Sequence, residues 1–225
     1  MSSTHESKNF FLEGPAGKLE AILWTPARST PAMVALVCHP HPLFGGTMHN
    51  KVVFQTAKAL DSLGIAVLRF NFRGAGLSEG THDKGRSEVD DVRQALEFLV
   101  GQFRETPLLV AGFSFGCWVG LRAGCEDARV EKLIGIGAPV NDSDFSYLAE
   151  CSKPKIFVHG SNDQFGDVKK VRQMVASLPG KNELVVVDGV DHFFTGKIEE
   201  LAKAIIEWLK PAAHNVAKNS SNSHE

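Results

Sequence analysis

The chain has 225 residues, 43% of them hydrophobic, and its 24 Lys and Arg against 26 Asp and Glu leave a net charge of −2 at neutral pH. That is apolar material for one sizeable core, with none of the charge asymmetry that nucleic acid or an anionic membrane selects, so a small-molecule partner is expected. Residues 1–8 are polar, with no signal-peptide core, and no later apolar run is long enough to cross a bilayer. The chain therefore reads as cytoplasmic, engaging neither nucleic acid nor membrane.

In chain order, a flexible N-terminus over 1–8 precedes a single domain over 9–213. Asn9 to Glu13 and Lys18 to Trp24 flank Gly14-Pro15-Ala16-Gly17 and predict a hairpin, since Gly and Pro favour the turn. Short apolar or β-branched runs then recur at Met33–Cys38, Ile65–Phe70, Leu108–Ala111, Lys132–Ile136, Ile156–His159 and Leu184–Val187. They have the composition of strands buried on both faces. Between them, apolar residues at helical spacing predict helices over Asn50–Leu63, Ser87–Phe103, Gly116–Glu126, Asp167–Ser177 and Lys197–Leu209. This alternation specifies the α/β class: a three-layer α/β/α sandwich with a mostly parallel sheet and the hairpin as its antiparallel edge. A polar tail over 214–225 is expected to be disordered.

Ligands of such sheets sit outside the carboxyl ends of the strands, so the segments after each strand are searched for chemistry. Leu108-Leu109-Val110-Ala111 runs into Gly112-Phe113-Ser114-Phe115-Gly116, and a helix pattern follows. A serine on a sharp strand-to-helix turn needs small residues two positions either side, which Gly112 and Gly116 supply, and makes Ser114 a candidate nucleophile. The Phe115 N–H, at the helix start, would face developing negative charge as one oxyanion donor. A serine hydroxyl needs a base, and His192 follows the last predicted strand in a Gly-Val-Asp-His-Phe-Phe loop. The base needs a carboxylate: Asp163 follows the strand before it, giving the order Ser, Asp, His, while Asp191 is the rival. Asp142, Asp144, Asp167 and Asp188 are weaker alternatives, Asp167 having the look of a helix N-cap. His159, at a strand end, is expected to be structural. Activity should fall at acid pH as His192 takes up a proton; a flat profile from pH 5 to 8 would count against it.

Together with His39-Pro40-His41-Pro42-Leu43-Phe44-Gly45-Gly46 and Asn71-Phe72-Arg73-Gly74-Ala75-Gly76-Leu77-Ser78-Glu79-Gly80, these motifs make the chain resemble an α/β-hydrolase, of the small lidless bacterial group related to dienelactone hydrolases. The resemblance covers nearly all of the chain between its tails. It implies the α/β-hydrolase fold without a cap domain, and a triad at Ser114, Asp163 and His192. It departs from dienelactone hydrolases proper, whose nucleophile is a cysteine, so their substrate does not carry over. Cys117 is expected to be packing rather than a replacement nucleophile. The resemblance also implies a second oxyanion N–H two residues after the His that ends the strand, at His41, with Leu43 as the alternative; Pro40 and Pro42 have no N–H to give.

Further expectations complete the reading. His39 and His41 lack a third ligand at useful spacing, so no metal and no cofactor are expected. Cys38, Cys117, Cys125 and Cys151 read as reduced, packed thiols. The Arg73-Gly74-Ala75-Gly76 loop lacks the spacing of a phosphate cradle, and Arg73 is expected to anchor neighbouring loops. Ala138 to Lys153 has room for only a short helix, leaving an open, apolar, uncharged pocket with Phe44, Phe113, Phe115, Phe165, Phe193 and Phe194 as candidate walls. The expected reaction is a serine carboxylesterase's, cleaving small short-acyl esters through an acyl-enzyme in a monomer or homodimer. A thioesterase or peptidase would use the same triad, and a non-catalytic scaffold on the same fold is the reading from another class.

Overall fold

The computed structural model describes residues 5–27 and 29–210. The hairpin pairs β1 (His5–Gly14) with β2 (Gly17–Pro26), from His5 opposite Pro26 to Gly14 opposite Gly17. Residues 5–8, expected to belong to a flexible N-terminus, are strand. The His5 ring stacks on Trp24 at 4.3 Å between centroids, a tertiary contact that a polar run does not announce. The tail expected over 214–225 lies outside the described residues.

After the hairpin, strands and helices alternate: β3 (Val34–Cys38), α1 (Lys51–Asp61), β4 (Ala66–Phe70), α2 (Glu88–Gln102), β5 (Leu108–Phe113), α3 (Phe115–Glu126), β6 (Val130–Ile136), β7 (Lys155–Gly160), α4 (Val168–Ser177), β8 (Asn182–Val187) and α5 (Ile198–Leu209). They form one sheet in the order β1-β2-β4-β3-β5-β6-β7-β8, parallel from β4 to β8 and antiparallel at the hairpin. This is the mostly parallel sheet with helices on both faces and an antiparallel hairpin at its edge that the alternation of elements predicts.

Alternate residues of each strand feed opposite cores, because side chains of a strand point to opposite faces. Val34, Leu36 and Cys38 of β3 join one cluster with residues of α2, α3 and α4, while Ala35 and Val37 join the other with α1 and α5. A slip of one residue would exchange the two sets. Each buried Leu or Val contributes roughly 1.5–3 kcal/mol, so burial on both faces fixes the register strongly. The faces follow from topology. From β3 the chain moves to β4 through α1, then jumps back across β3 to β5 through α2, and right-handed crossovers in opposite directions put their helices on opposite faces. That reversal of direction beside β3 opens the crevice where ligands of such sheets bind.

Helix starts are set by side chains that accept orphan N–H groups. Asn50 Oδ1 accepts from Val52 at 2.9 Å, and Asp167 Oδ1 accepts from Lys169 and Lys170 at 2.8 and 3.3 Å, the N-cap its sequence position suggests. Between Ala138 and Lys153 stands a single 3₁₀ turn, Ser146–Glu150, so no cap domain covers the site.

Candidate active site

Ser114 stands between the end of β5 and the start of α3 with φ 56° and ψ −119°, a left-handed conformation that costs a non-glycine residue of order 1–3 kcal/mol. The turn is pinned on both sides. The Ser114 N–H donates to the Ile136 carbonyl at 2.9 Å, and the Ser114 carbonyl accepts from Cys117 at 2.9 Å and Trp118 at 3.2 Å. The two glycines are required by contact: a Cβ on Gly112 would strike the Gly116 carbonyl, and one on Gly116 would lie 2.5 Å from the His39 carbonyl oxygen. The ends of β3 and β5 and the first turn of α3 thus touch backbone to backbone. Cys117 is fully buried in this contact, and burial pushes its thiol well above the usual range, which suits packing and not nucleophilic attack.

Across the crevice, Asp163 and His192 meet from the loops after β7 and β8. His192 Nδ1 donates to Asp163 Oδ2 at 2.7 Å, and Asp163 Oδ1 accepts from the Phe165 and Gly166 N–H groups at 2.8 and 3.1 Å. Both oxygens of the Asp163 carboxylate are therefore fixed by hydrogen bonds. With Nδ1 carrying the proton, the neutral ring keeps its lone pair on Nε2, the arrangement that lets an imidazole take a proton from a hydroxyl within reach. Phe113, Phe165 and Phe193 rings surround it at 4.8, 4.7 and 5.3 Å between centroids. His192 and Ser114 both line one cavity of about 570 Å³.

Four of the five rival carboxylates are occupied elsewhere, and the fifth, Asp142, stands on the cavity wall without replacing Asp163 as the partner of His192. Asp191 closes its own turn, accepting from the Phe193 and Thr195 N–H groups and the Thr195 hydroxyl, with those bonds holding its carboxyl below the usual range. Asp188 accepts from Ser161 Oγ, Asp144 from Ser146, and Asp167 caps α4. His159 supports Asp163 from behind: its Nε2 donates to the Gly166 carbonyl at 2.7 Å and lies 3.7 Å from Asp163 Oδ2, and burial lowers its pKa.

The loop after β3 is built on a second histidine. His39 Nδ1 donates to the Pro40 carbonyl at 2.6 Å and Nε2 accepts from the Phe72 N–H at 2.9 Å. Both nitrogens are spent, so this ring has none left for a metal, and burial drives its pKa down to about 3. His41 starts the 3₁₀ turn Pro42–Phe44, where its Nδ1 accepts from the Leu43 N–H at 3.2 Å. That bond occupies the N–H of the alternative donor, and the Leu43 side chain points away at 69% exposure. Among the described residues, the His41 N–H is given to no loop carbonyl or side chain. Arg73 grips Asp91 of α2 with Nε at 3.1 and 3.0 Å and one terminal nitrogen at 2.6 Å, tying the loop after β4 to that helix. It serves as the expected anchor.

Residues 36–220 match the family model of an alpha/beta hydrolase domain. The chain belongs to the alpha/beta hydrolase family. It is 38% identical over 208 residues to the uncharacterized protein RP471 of Rickettsia prowazekii, covering 88% of this chain and 87% of that one. Among solved structures, an alpha-beta serine hydrolase homologue from Coxiella burnetii superposes with a TM-score of 0.86 at 36% identity, over 90% of this chain and 97% of the other. A Xanthomonas campestris serine hydrolase described as lacking a lid gives 0.83 at 36% identity, over 92% and 97%. The chain is thus a hydrolase of the lidless α/β group.

The walls of this hydrolase's cavity match the sequence expectation only in part. Phe44, Phe165 and Phe193 line it, as does Phe115. Phe113 does not: it is fully buried beneath His192, on the same strand parity as Leu109 and Ala111 and in their core cluster. Phe194 is likewise core. Trp118, one helical turn past Ser114, also lines the cavity, and its i, i+4 spacing from the serine on α3 is the sequence signal that marks it. The cavity is also not uncharged, since Lys84 and Asp142 stand on its walls with Asn50 and Ser143. These come from loops whose paths no local pattern encodes.

Proposed function

We propose that the protein is a serine carboxylesterase acting on small short-acyl esters. Ser114 Oγ attacks the acyl carbonyl as His192 takes its proton, and Asp163 stabilises the imidazolium. The Phe115 and His41 N–H groups hold the oxyanion, the alkoxide leaves with the proton from His192, and water then releases the acid by the same path. The observation that carries this reading is the His192 Nδ1 to Asp163 bond of 2.7 Å, on a cavity that also opens on a serine in a strained turn. The largely apolar walls and the uncapped mouth favour neutral esters over long lipids or polyanions.

A fluorophosphonate probe should modify Ser114 in the folded protein, and p-nitrophenyl esters of graded acyl length should be cleaved fastest at the short end. Acyl thioesters and aminoacyl amides run alongside, since the same groups would open those bonds; preference for either would reassign the substrate while keeping the chemistry. Hydrolysis surviving Ser114→Ala would refute the mechanism, and a folded chain that takes no probe and cleaves nothing would make it a scaffold.

A further inference from the structure

His82, in the loop between β4 and α2, has a role that neither the triad nor the oxyanion donors account for. Its side chain is 4% exposed, and neither ring nitrogen makes an aligned hydrogen bond, although both are buried. Nδ1 lies 2.8 Å from Glu88 Oε1, off the line of a hydrogen bond. Glu88 itself is fully buried at the start of α2, accepting from the Asp83 N–H at 2.6 Å and the Gly85 N–H at 2.8 Å. The loop is thus wrapped around the carboxylate, and the carboxylate holds the ring. Buried polar atoms without hydrogen bonds are rare, and an apolar ring would fill this space without leaving any.

The ring's position supplies the reason. His82 packs on His41 at 4.6 Å and on Phe115 at 5.4 Å between centroids, and His41 packs on Phe115 at 5.1 Å. These two neighbours are the residues whose N–H groups the proposed mechanism places on the oxyanion. One belongs to the loop after β3 and the other to the first turn of α3, and the ring braces both.

Resting on the serine-hydrolase reading, we infer that His82, tethered by Glu88, is a positioning residue for the oxyanion hole: its ring fixes the separation of the His41 and Phe115 backbones. The tether explains a histidine at this position, because a charge beside Nδ1 orients the ring as no contact with a phenyl would. Misplacing a reacting group by about 1 Å can cost roughly 10²-fold in rate, so the brace acts on turnover and leaves substrate affinity alone.

The test compares His82→Phe, which keeps the ring without the tether, with His82→Asn and His82→Ala, which lose the ring. Each is assayed for kcat and KM on p-nitrophenyl acetate, for inhibition by a trifluoromethyl ketone whose serine-bound hemiketal oxyanion occupies the hole, and for thermal unfolding. Expected is a fall in kcat of about 10- to 100-fold for Asn and Ala with KM within about threefold, ketone affinity falling in step, and for His82→Phe an intermediate loss of roughly severalfold, since it keeps the brace without the tether that orients it. A kcat within twofold of wild type in folded His82→Asn would overturn the proposal. So would a loss carried by KM, or a His82→Phe as impaired as His82→Asn. If His82→Ala fails to fold, the Asn and Phe variants decide the matter. Wild type and Ser114→Ala run beside them separate the two levels: an inactive wild type, or an active Ser114→Ala, sinks the serine-hydrolase reading, whereas failure of the His82 variants alone sinks only the brace.

Discussion

Two loops at the carboxyl edge of the sheet each carry a buried histidine, and they use it in opposite ways. After β3, His39 donates from one nitrogen to Pro40 and accepts on the other from Phe72, so the ring joins two loops and has no capacity left. After β8, His192 spends only Nδ1, on Asp163, and lines the cavity shared with Ser114. Burial is nearly equal, at 0% and 2% exposure, so burial does not separate a strut from a base. Position does: His192 lines the cavity shared with Ser114, and neither His39 nor His159 does.

The comparison breaks most sharply at the second loop. Ser114→Ala or His192→Ala should lower esterase kcat by roughly 10⁴-fold or more, measured with p-nitrophenyl acetate on protein shown to be folded by circular dichroism. Asp163→Asn should follow at about 10⁴-fold, because the amide favours the wrong tautomer of the ring. Asp191→Asn should stay within about threefold, as that carboxylate only closes a turn. Equal losses for the two aspartates would mean that the orienting group has been misassigned.

At the first loop the expected damage is to stability. His39→Ala removes both partners of buried groups and should cost about 1–3 kcal/mol in urea unfolding. The sign with pH follows from its lowered pKa. Between about 3 and the unfolded value of 6.5 the unfolded chain binds the proton and the folded chain does not, so acidification favours unfolding by up to roughly 1.4 kcal/mol per pH unit. Replacement by Gln should flatten that part of the stability profile; an unchanged slope would show that other groups set it. The smallest effect belongs to the cavity mouth. Phe44 is 85% exposed, and Phe44→Ala should raise KM by a few-fold with kcat nearly unchanged, consistent with partial burial of one ring by substrate.

How much of this was legible depends on whether a contact is local. Ser114, Asp163 and His192 could be singled out as candidates because each follows a strand and the sheet's carboxyl edge gathers them. The parity of β5 would also have placed Phe113 in the core, since it continues the alternation of Leu109 and Ala111; reading it as a pocket wall ignored period two. His5 was lost for the opposite reason, its strand being secured by a stack on Trp24 nineteen positions away. His82, Lys84 and Asp142 lie in loops that are shaped by distant partners, and no periodicity marks them.

The conformation of Ser114 sets stability against retention of the nucleophile proposed for this position. Glycine would occupy φ 56° and ψ −119° without the steric penalty that serine bears there, and the surrounding backbone contacts would be unaltered. Selection for folding alone would favour that replacement, while the proposed reaction requires the serine. A lineage that ceased to need the reaction would therefore be expected to lose this serine early, with the sheet, the glycines and the buried aspartate still in place.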